Sequence, residues 1–215
     1  MRTRKKSWTA RELADNPRIL HDPETYAGKI AEYFGNSNPI HLEIGCGKGR
    51  FITQMAQLHP EINYIAIERE PTILAAAARL SRDTAGLTGN SALIFMQLDA
   101  AVLPQYFNPG DIQRLYINFC DPWPDKKKWA RRRLTHVNFL AMYEGLMIPE
   151  IFLKTDNRLL FDFSVSQFSE RGWKLCNISL NLHNSESHLP ENIMTEYEEK
   201  FVAQGIPVYR LEAYA

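Results

Sequence analysis

The stretch Ile40-His-Leu-Glu-Ile-Gly-Cys-Gly-Lys-Gly-Arg50 limits what this chain can fold into more than any other. An apolar segment of strand character runs into glycines at alternate positions, Gly45, Gly47 and Gly49. Glycines there let the backbone take positive φ and bring main-chain N–H groups against a ligand, at an entropic cost few other positions would tolerate. A dinucleotide turn of the G-x-G-x-x-G type needs glycine at position 50, where Arg50 stands. Glu43 argues the same way. A carboxylate two positions before the first glycine suits a cationic or hydroxylated ligand and repels a pyrophosphate in a poorly solvated crevice.

Around this turn, strand-like segments at 39–44, 62–67, 92–97, 112–119 and 150–154 alternate with helical patterns at 49–58, 71–82, 132–147 and about 157–170. Near-continuous apolar strands in such alternation predict a mostly parallel sheet with helices on both faces, whose ligands bind beyond the carboxyl ends of the strands. The tail reads as two more strands, at 173–182 and 207–214, flanking a helix at about 195–204, and is expected to form an antiparallel pair. Residues 1–38 have weak periodicity and breaks at Asn16-Pro17, Asp22-Pro23 and Gly35–Pro39. They predict a flexible basic extension with one helix at 23–34.

At 215 residues the remainder suits one α/β domain, 39–215. No run of about 18 apolar residues could span a membrane, and the basic N-terminus leads into polar sequence, so a cytoplasmic protein is expected. Cys46, Cys120 and Cys176, odd in number and widely spaced, argue against disulfides and zinc. His183 and His188 read as loop histidines, with no carboxylates at metal spacing, so no metal is expected.

The strand order places Glu43, Glu68, Asp99 and Asp121 at strand carboxyl ends, converging on one crevice. Glu68 lies 23 residues after Gly45, the distance for a carboxylate that accepts from a ribose diol. Together with Glu43 this favours S-adenosylmethionine, whose sulfonium and amino groups are cationic and whose ribose and adenine suit Glu68 and Asp99. Asp121-Pro-Trp-Pro124 stiffens one edge of the crevice, because its prolines fix φ and remove two donors. Net charge is zero, yet six of the eight residues at 126–133 are basic, and Arg2, Arg4, Lys5 and Lys6 form a second group. Acidic residues gather at 186–199. Six cations beside a candidate site suit a nucleic-acid backbone. Asp156 reads equally as a helix N-cap or a ligand acceptor. So does the segment Thr195-Glu-Tyr-Glu198, which fits a capping box. Asp121, Asp156 and Glu198 could together accept from a donor-rich base such as guanine.

These motifs resemble the tRNA (guanine-N7-)-methyltransferase family of the TrmB type. The glycine turn with Glu43, Ile67-Glu68, Asp121-Pro-Trp-Pro124, the basic run ending Arg131-Arg-Arg-Leu134, Lys154-Thr-Asp156 and Thr195–Glu198 carry the resemblance in order over about 39–214. It implies a Rossmann-like S-adenosylmethionine-dependent fold and methyl transfer to N7 of a guanine in tRNA. Glu43, Gly45, Gly47, Gly49, Glu68, Asp99 and Asp121 would bind the methyl donor, with Asp121 also catalytic. Lys126, Asp156, Thr195, Glu196, Tyr197 and Glu198 would contact the substrate. Lys128, Trp129, Arg131, Arg132 and Arg133 would touch the RNA. The family commonly has a lysine directly after Asp-Pro-Trp-Pro and a histidine before the arginines. This chain has Asp125 and Trp129, which leaves Lys126 or Lys127 for the lysine. The protein is expected as a monomer or homodimer. The alternatives are a methyltransferase for another RNA, a small molecule or a protein, a nicotinamide-dependent oxidoreductase, and a non-catalytic RNA-binding module.

Overall fold

The computed structural model describes residues 6–84, 87, 92–124, 126–184 and 192–215. Two helices, α1 (Thr9–Asp15) and α2 (Ile30–Phe34), precede the alternating part. There, β1 (Ile40–Ile44), α3 (Arg50–Leu58), β2 (Asn63–Ile67), α4 (Pro71–Asp83), β3 (Leu93–Met96) and β4 (Ile112–Asn118) follow in order. The second half holds α5 (Lys127–Ala130), α6 (Val137–Gly145), β5 (Glu150–Thr155), α7 (Arg158–Glu170), β6 (Lys174–Ser179), α8 (Glu196–Ala203) and β7 (Tyr209–Tyr214). One seven-stranded sheet results, in the order β3-β2-β1-β4-β5-β7-β6. The first five strands pair in parallel, and β7 runs antiparallel to both β5 and β6.

The strands alternate their side chains between two apolar layers, which is why β1 and β2 are buried on both faces. On one face Leu42, Ile44, Leu115, Ile117 and Leu153 pack with Leu140 and Tyr143 of α6 and Phe161 and Phe168 of α7. On the other, Tyr64, Ala66, Phe95 and Tyr116 pack with Phe51, Ile52 and Ala56 of α3 and Leu74, Ala77 and Ala78 of α4. Proline in the first turn of α4 starts that helix without losing a bond that the turn could make.

Residues 6–38 differ from the expected flexible extension. Leu20 N donates to Phe95 O at 2.9 Å and Phe95 N to Arg18 O at 2.7 Å, so residues 18–20 bind the β3 edge. Ile30 and Phe34 join the core. The single helix expected at 23–34 is instead a 3-10 turn, Pro23–Tyr26, and the short α2, separated at Gly28 with φ +68°. The helix expected at 132–147 starts later. His136 caps α6, its Nδ1 accepting from Asn138 N at 3.2 Å. The strand expected at 173–182 spans Lys174–Ser179, and its register with β7 shifts between Cys176 and Ser179, where Asn177 has φ +46°. Among the described residues, no helix is long and apolar enough to cross a membrane.

Candidate active site

The sheet reverses direction of growth between β1 and β4, and this switch point opens a crevice at the strand carboxyl ends. The glycine turn forms its floor. Gly45 N and Cys46 N donate to Ile67 O at 2.8 and 3.2 Å, pulling the turn onto β2. Gly45, Gly47 and Gly49 have φ of +71°, +56° and +80°. A Cβ on Gly49 would stand 2.8 Å from that of Ala77, so α3 and α4 approach closely only because the side chain is missing. A Cβ on Gly47 would meet nothing within 4 Å, which leaves bare backbone facing open space.

Glu43 crosses the switch point. Its Oε1 accepts from Asn118 Nδ2 of β4 at 2.9 Å, while Oε2 is buried with no partner among the described residues. Burial pushes the carboxyl up to about 7, against the opposing effects of Asn118 and Lys154. An orphaned carboxylate oxygen beside an open glycine turn fits a cationic ligand with N–H donors, as the amino group of S-adenosylmethionine is. Asn118 was absent from the sequence expectations. Its signal was a polar residue ending the apolar run of β4.

The other three acids stand at adjacent strand ends. Glu68, after β2, accepts from Glu70 N at 2.9 Å. Asp99, after β3, caps a 3-10 turn over Ala100–Gln105 by accepting from Ala101 N at 3.0 Å, and pairs with Arg69 at 3.4 Å. Asp121, after β4, is exposed.

Residues 192–203 wall off the opposite side. Glu198 is fully buried. Its Oε2 accepts from Lys154 Nζ at 2.7 Å and Thr195 N at 3.3 Å, and its Oε1 from Asn192 Nδ2 at 2.6 Å, with His183 Nε2 at 2.9 Å. Burial opposes its charge, yet Lys154, Asn192 and His183 hold the carboxyl below its usual range. Lys154 is pulled down by burial, but its ammonium keeps three acceptors, Glu198, Ile193 O at 2.8 Å and Asn192 Oδ1 at 3.1 Å. The capping box is therefore present, with Glu198 turned inward. Thr195 is buried with it, while Glu196 is half-buried and Tyr197 exposed. His183, expected as a plain loop residue, belongs to this cluster, and His188 lies outside the described residues. Asn157, not Asp156, caps α7, accepting from Leu160 N at 2.9 Å, and Asp156 is half-buried. Arg50 reaches from α3 to Glu199 of α8 with both terminal nitrogens.

The basic run divides. Lys126, Lys127, Lys128, Arg131 and Arg132 are exposed, and Trp129 is half-buried. Arg133 departs from the expected RNA contact. It is 2% exposed, donates to Pro122 O at 2.8 Å and Trp123 O at 3.0 Å, and lies 4.5 Å from the Phe163 ring. It struts the Asp121-Pro-Trp-Pro124 loop, where Trp123 takes φ +47°. Asp125, Arg2, Arg4 and Lys5 lie outside the described residues, as does the start of the acidic stretch. A cavity of about 250 Å³ between α3 and β4–β5 is lined in part by Asn118, Lys154, Asn192 and Ile193. No cluster of three or more metal-ligating side chains occurs among the described residues.

The parallel sheet with its antiparallel end, the open glycine turn and the acids at the strand ends define a Rossmann-like methyltransferase. Solved structures share this architecture. A 16S rRNA methyltransferase, KamB, aligns over 86% of this chain and 92% of its own at a TM-score of 0.61 and 13% identity. An antibiotic-related methyltransferase covers 87% and 92% at 0.60 and 17%. Residues 37–211 match the family described as "Putative methyltransferase". The tRNA (guanine-N(7)-)-methyltransferase of Bacillus subtilis is 46% identical over 99% of this chain and 98% of its own. Those of Lactococcus lactis and Listeria monocytogenes are 45% and 47% identical, over 99% of this chain and 97% and 98% of theirs. The chain belongs to the tRNA (guanine-N7-)-methyltransferase family of the TrmB type.

Proposed function

We propose that this protein transfers a methyl group from S-adenosylmethionine to N7 of a guanine in tRNA, yielding 7-methylguanosine. The observation that carries the reading is the crevice at the switch point. A buried, half-satisfied carboxylate lies two residues before an open glycine turn there, and an exposed basic arm begins five residues beyond Asp121. Full-length identity to relatives named for this activity supports the choice of acceptor. When bound, the donor supplies an electrophilic methyl on a sulfonium, which the N7 lone pair attacks as the carbon–sulfur bond breaks. N7 carries no proton, so the protein needs no general base to expose it.

What remains for the chain is alignment and charge. Gly47 backbone and Glu43 would hold the donor's amino acid portion, with Glu68 and Asp99 on its ribose and adenine. Asp121 would orient the guanine and offset the positive charge that develops on it. Asp156, Glu196, Tyr197 and one of Lys126 or Lys127 would contact the acceptor. Thr195 and Glu198 act from beneath, by fixing the start of α8. Lys128, Trp129, Arg131 and Arg132 would meet the RNA. Well-aligned reactants can gain about 7–11 kcal/mol, so no metal is invoked. The protein works in the cytoplasm as a monomer or homodimer, with residues 39–215 as its catalytic domain.

The test supplies labelled methyl donor with unmodified bulk tRNA and identifies the modified base. Labelled 7-methylguanine is expected; its absence, with tRNA intact and protein folded, would overturn the reading.

A further inference from the structure

The loop after β4 and the basic arm carry an arrangement that phosphate contacts leave unused. The indoles of Trp123 and Trp129 lie parallel within 5°, their centroids 5.5 Å apart. The Arg132 guanidinium sits 4.7 Å from one ring centroid and 4.6 Å from the other. Lys128 Nζ lies 5.1 Å from the Trp129 ring. Both indoles are half-buried, whereas Lys128, Arg131 and Arg132 are exposed. A cation needs no aromatic neighbour to meet a phosphate. Two parallel indoles with a planar guanidinium make a surface suited to another flat π system.

The orientation is also enforced. Trp123 has φ +47°, a conformation that persists in a bulky residue only where the surroundings over-determine it. Arg133 supplies that constraint through the carbonyls of Pro122 and Trp123. The strain thus sets one indole beside Asp121, two residues away, and the second indole extends the surface toward the cations.

We propose that Trp123, Trp129 and Arg132 form a stacking subsite for one unpaired nucleobase of the tRNA, adjacent to the guanine presented to Asp121. The inference rests on the tRNA reading above. The surrounding charge selects this occupant, because Lys126, Lys127, Lys128, Arg131 and Arg132 suit a base flanked by phosphates. Stacking tolerates any base, so the subsite holds the opened strand without reading its sequence. Trp129, where the resemblance expects histidine, makes the platform a property of this chain.

The test compares Trp129→Phe, Trp129→Leu and Arg132→Lys with the wild type for binding to unmodified tRNA across a salt series. Unchanged affinity for S-adenosylmethionine serves as the check on folding. Trp129→Leu is expected to weaken tRNA binding about five- to tenfold with the salt slope preserved, Trp129→Phe to recover most of that loss, and Arg132→Lys to weaken binding although its charge is kept. Wild-type affinity in Trp129→Leu, or equal loss in the Phe and Leu variants, would overturn the subsite. So would losses accompanied by a flattened salt slope, which phosphate contact alone would give. Should Trp129→Leu fail to fold, exposed Arg132→Lys decides. Failure of the tRNA reading itself looks different: the wild type would then neither bind tRNA nor form 7-methylguanine.

Discussion

Glu43 is a side chain whose burial is costly to the fold and which the proposed donor site would use. With its carboxyl raised from 4.5 to about 7 by burial, the folded protein holds a proton between those pH values that the unfolded chain has released. Stability must therefore fall as pH rises through that window, by up to about 3 kcal/mol. Glu43→Gln should flatten this slope in urea melts at pH 5 and pH 7.5 and leave the variant more stable at the higher pH. The same proton opposes a cationic ligand. Affinity for S-adenosylmethionine should rise with pH up to about 7, and calorimetry in two buffers of different ionisation heat should detect proton release on binding; buffer-independent heats would refute the contact. Arg133 is the second case. Arg133→Ala leaves two carbonyls of the Asp121 loop without their donor and should lower turnover at least tenfold, with a smaller effect on the salt dependence of tRNA binding than Arg131→Ala has. A matching change in salt slope would return Arg133 to the RNA-contacting set.

Among the elements, α8 depends most on its attachments. Its eight residues carry little stability alone. Among its ties to the rest of the fold are the Lys154–Glu198 pair from β5, the Arg50–Glu199 pair from α3, and the stacking of Phe201 on Phe119 with centroids 5.9 Å apart. The first is buried, so Lys154→Ala strands a carboxylate in the interior and should cost about 3–5 kcal/mol in chemical denaturation. The second is partly exposed and should cost less than about 1 kcal/mol. Its consequence lies in alignment instead. Arg50→Ala should raise the KM for the methyl donor, and the exchanged pair Arg50→Glu with Glu199→Arg should restore part of it. No recovery would mean that Arg50 acts alone.

At the scale of the whole molecule, zero net charge conceals a cationic arm on a body that is otherwise net acidic. Reversing charge at Arg131 and Arg132 should weaken tRNA binding and reduce the slope of log Kd against log salt by about one to two units, measured between about 50 and 200 mM salt. An unchanged slope would remove the arm from the phosphate contacts.

Much of the architecture was legible because periodicity is local. Apolar runs of strand length, the glycine turn and the alternation with helices required the parallel sheet and put Glu43, Glu68, Asp99 and Asp121 at its carboxyl edge. The motifs likewise identified the family. Directions of side chains were not legible, because they depend on neighbours distant in sequence. Arg131, Arg132 and Arg133 are consecutive and chemically identical, yet the third turns inward to the carbonyls of Pro122 and Trp123. His183 read as a loop histidine until Glu198, 15 residues on, was folded against it. Glycines and strand periodicity are conformational requirements that a residue carries with it, so the sequence by itself determined the fold class and the location of the crevice. Which polar groups stay open to the crevice and which pair with each other is a matter of burial and neighbours, and only the tertiary structure decided it.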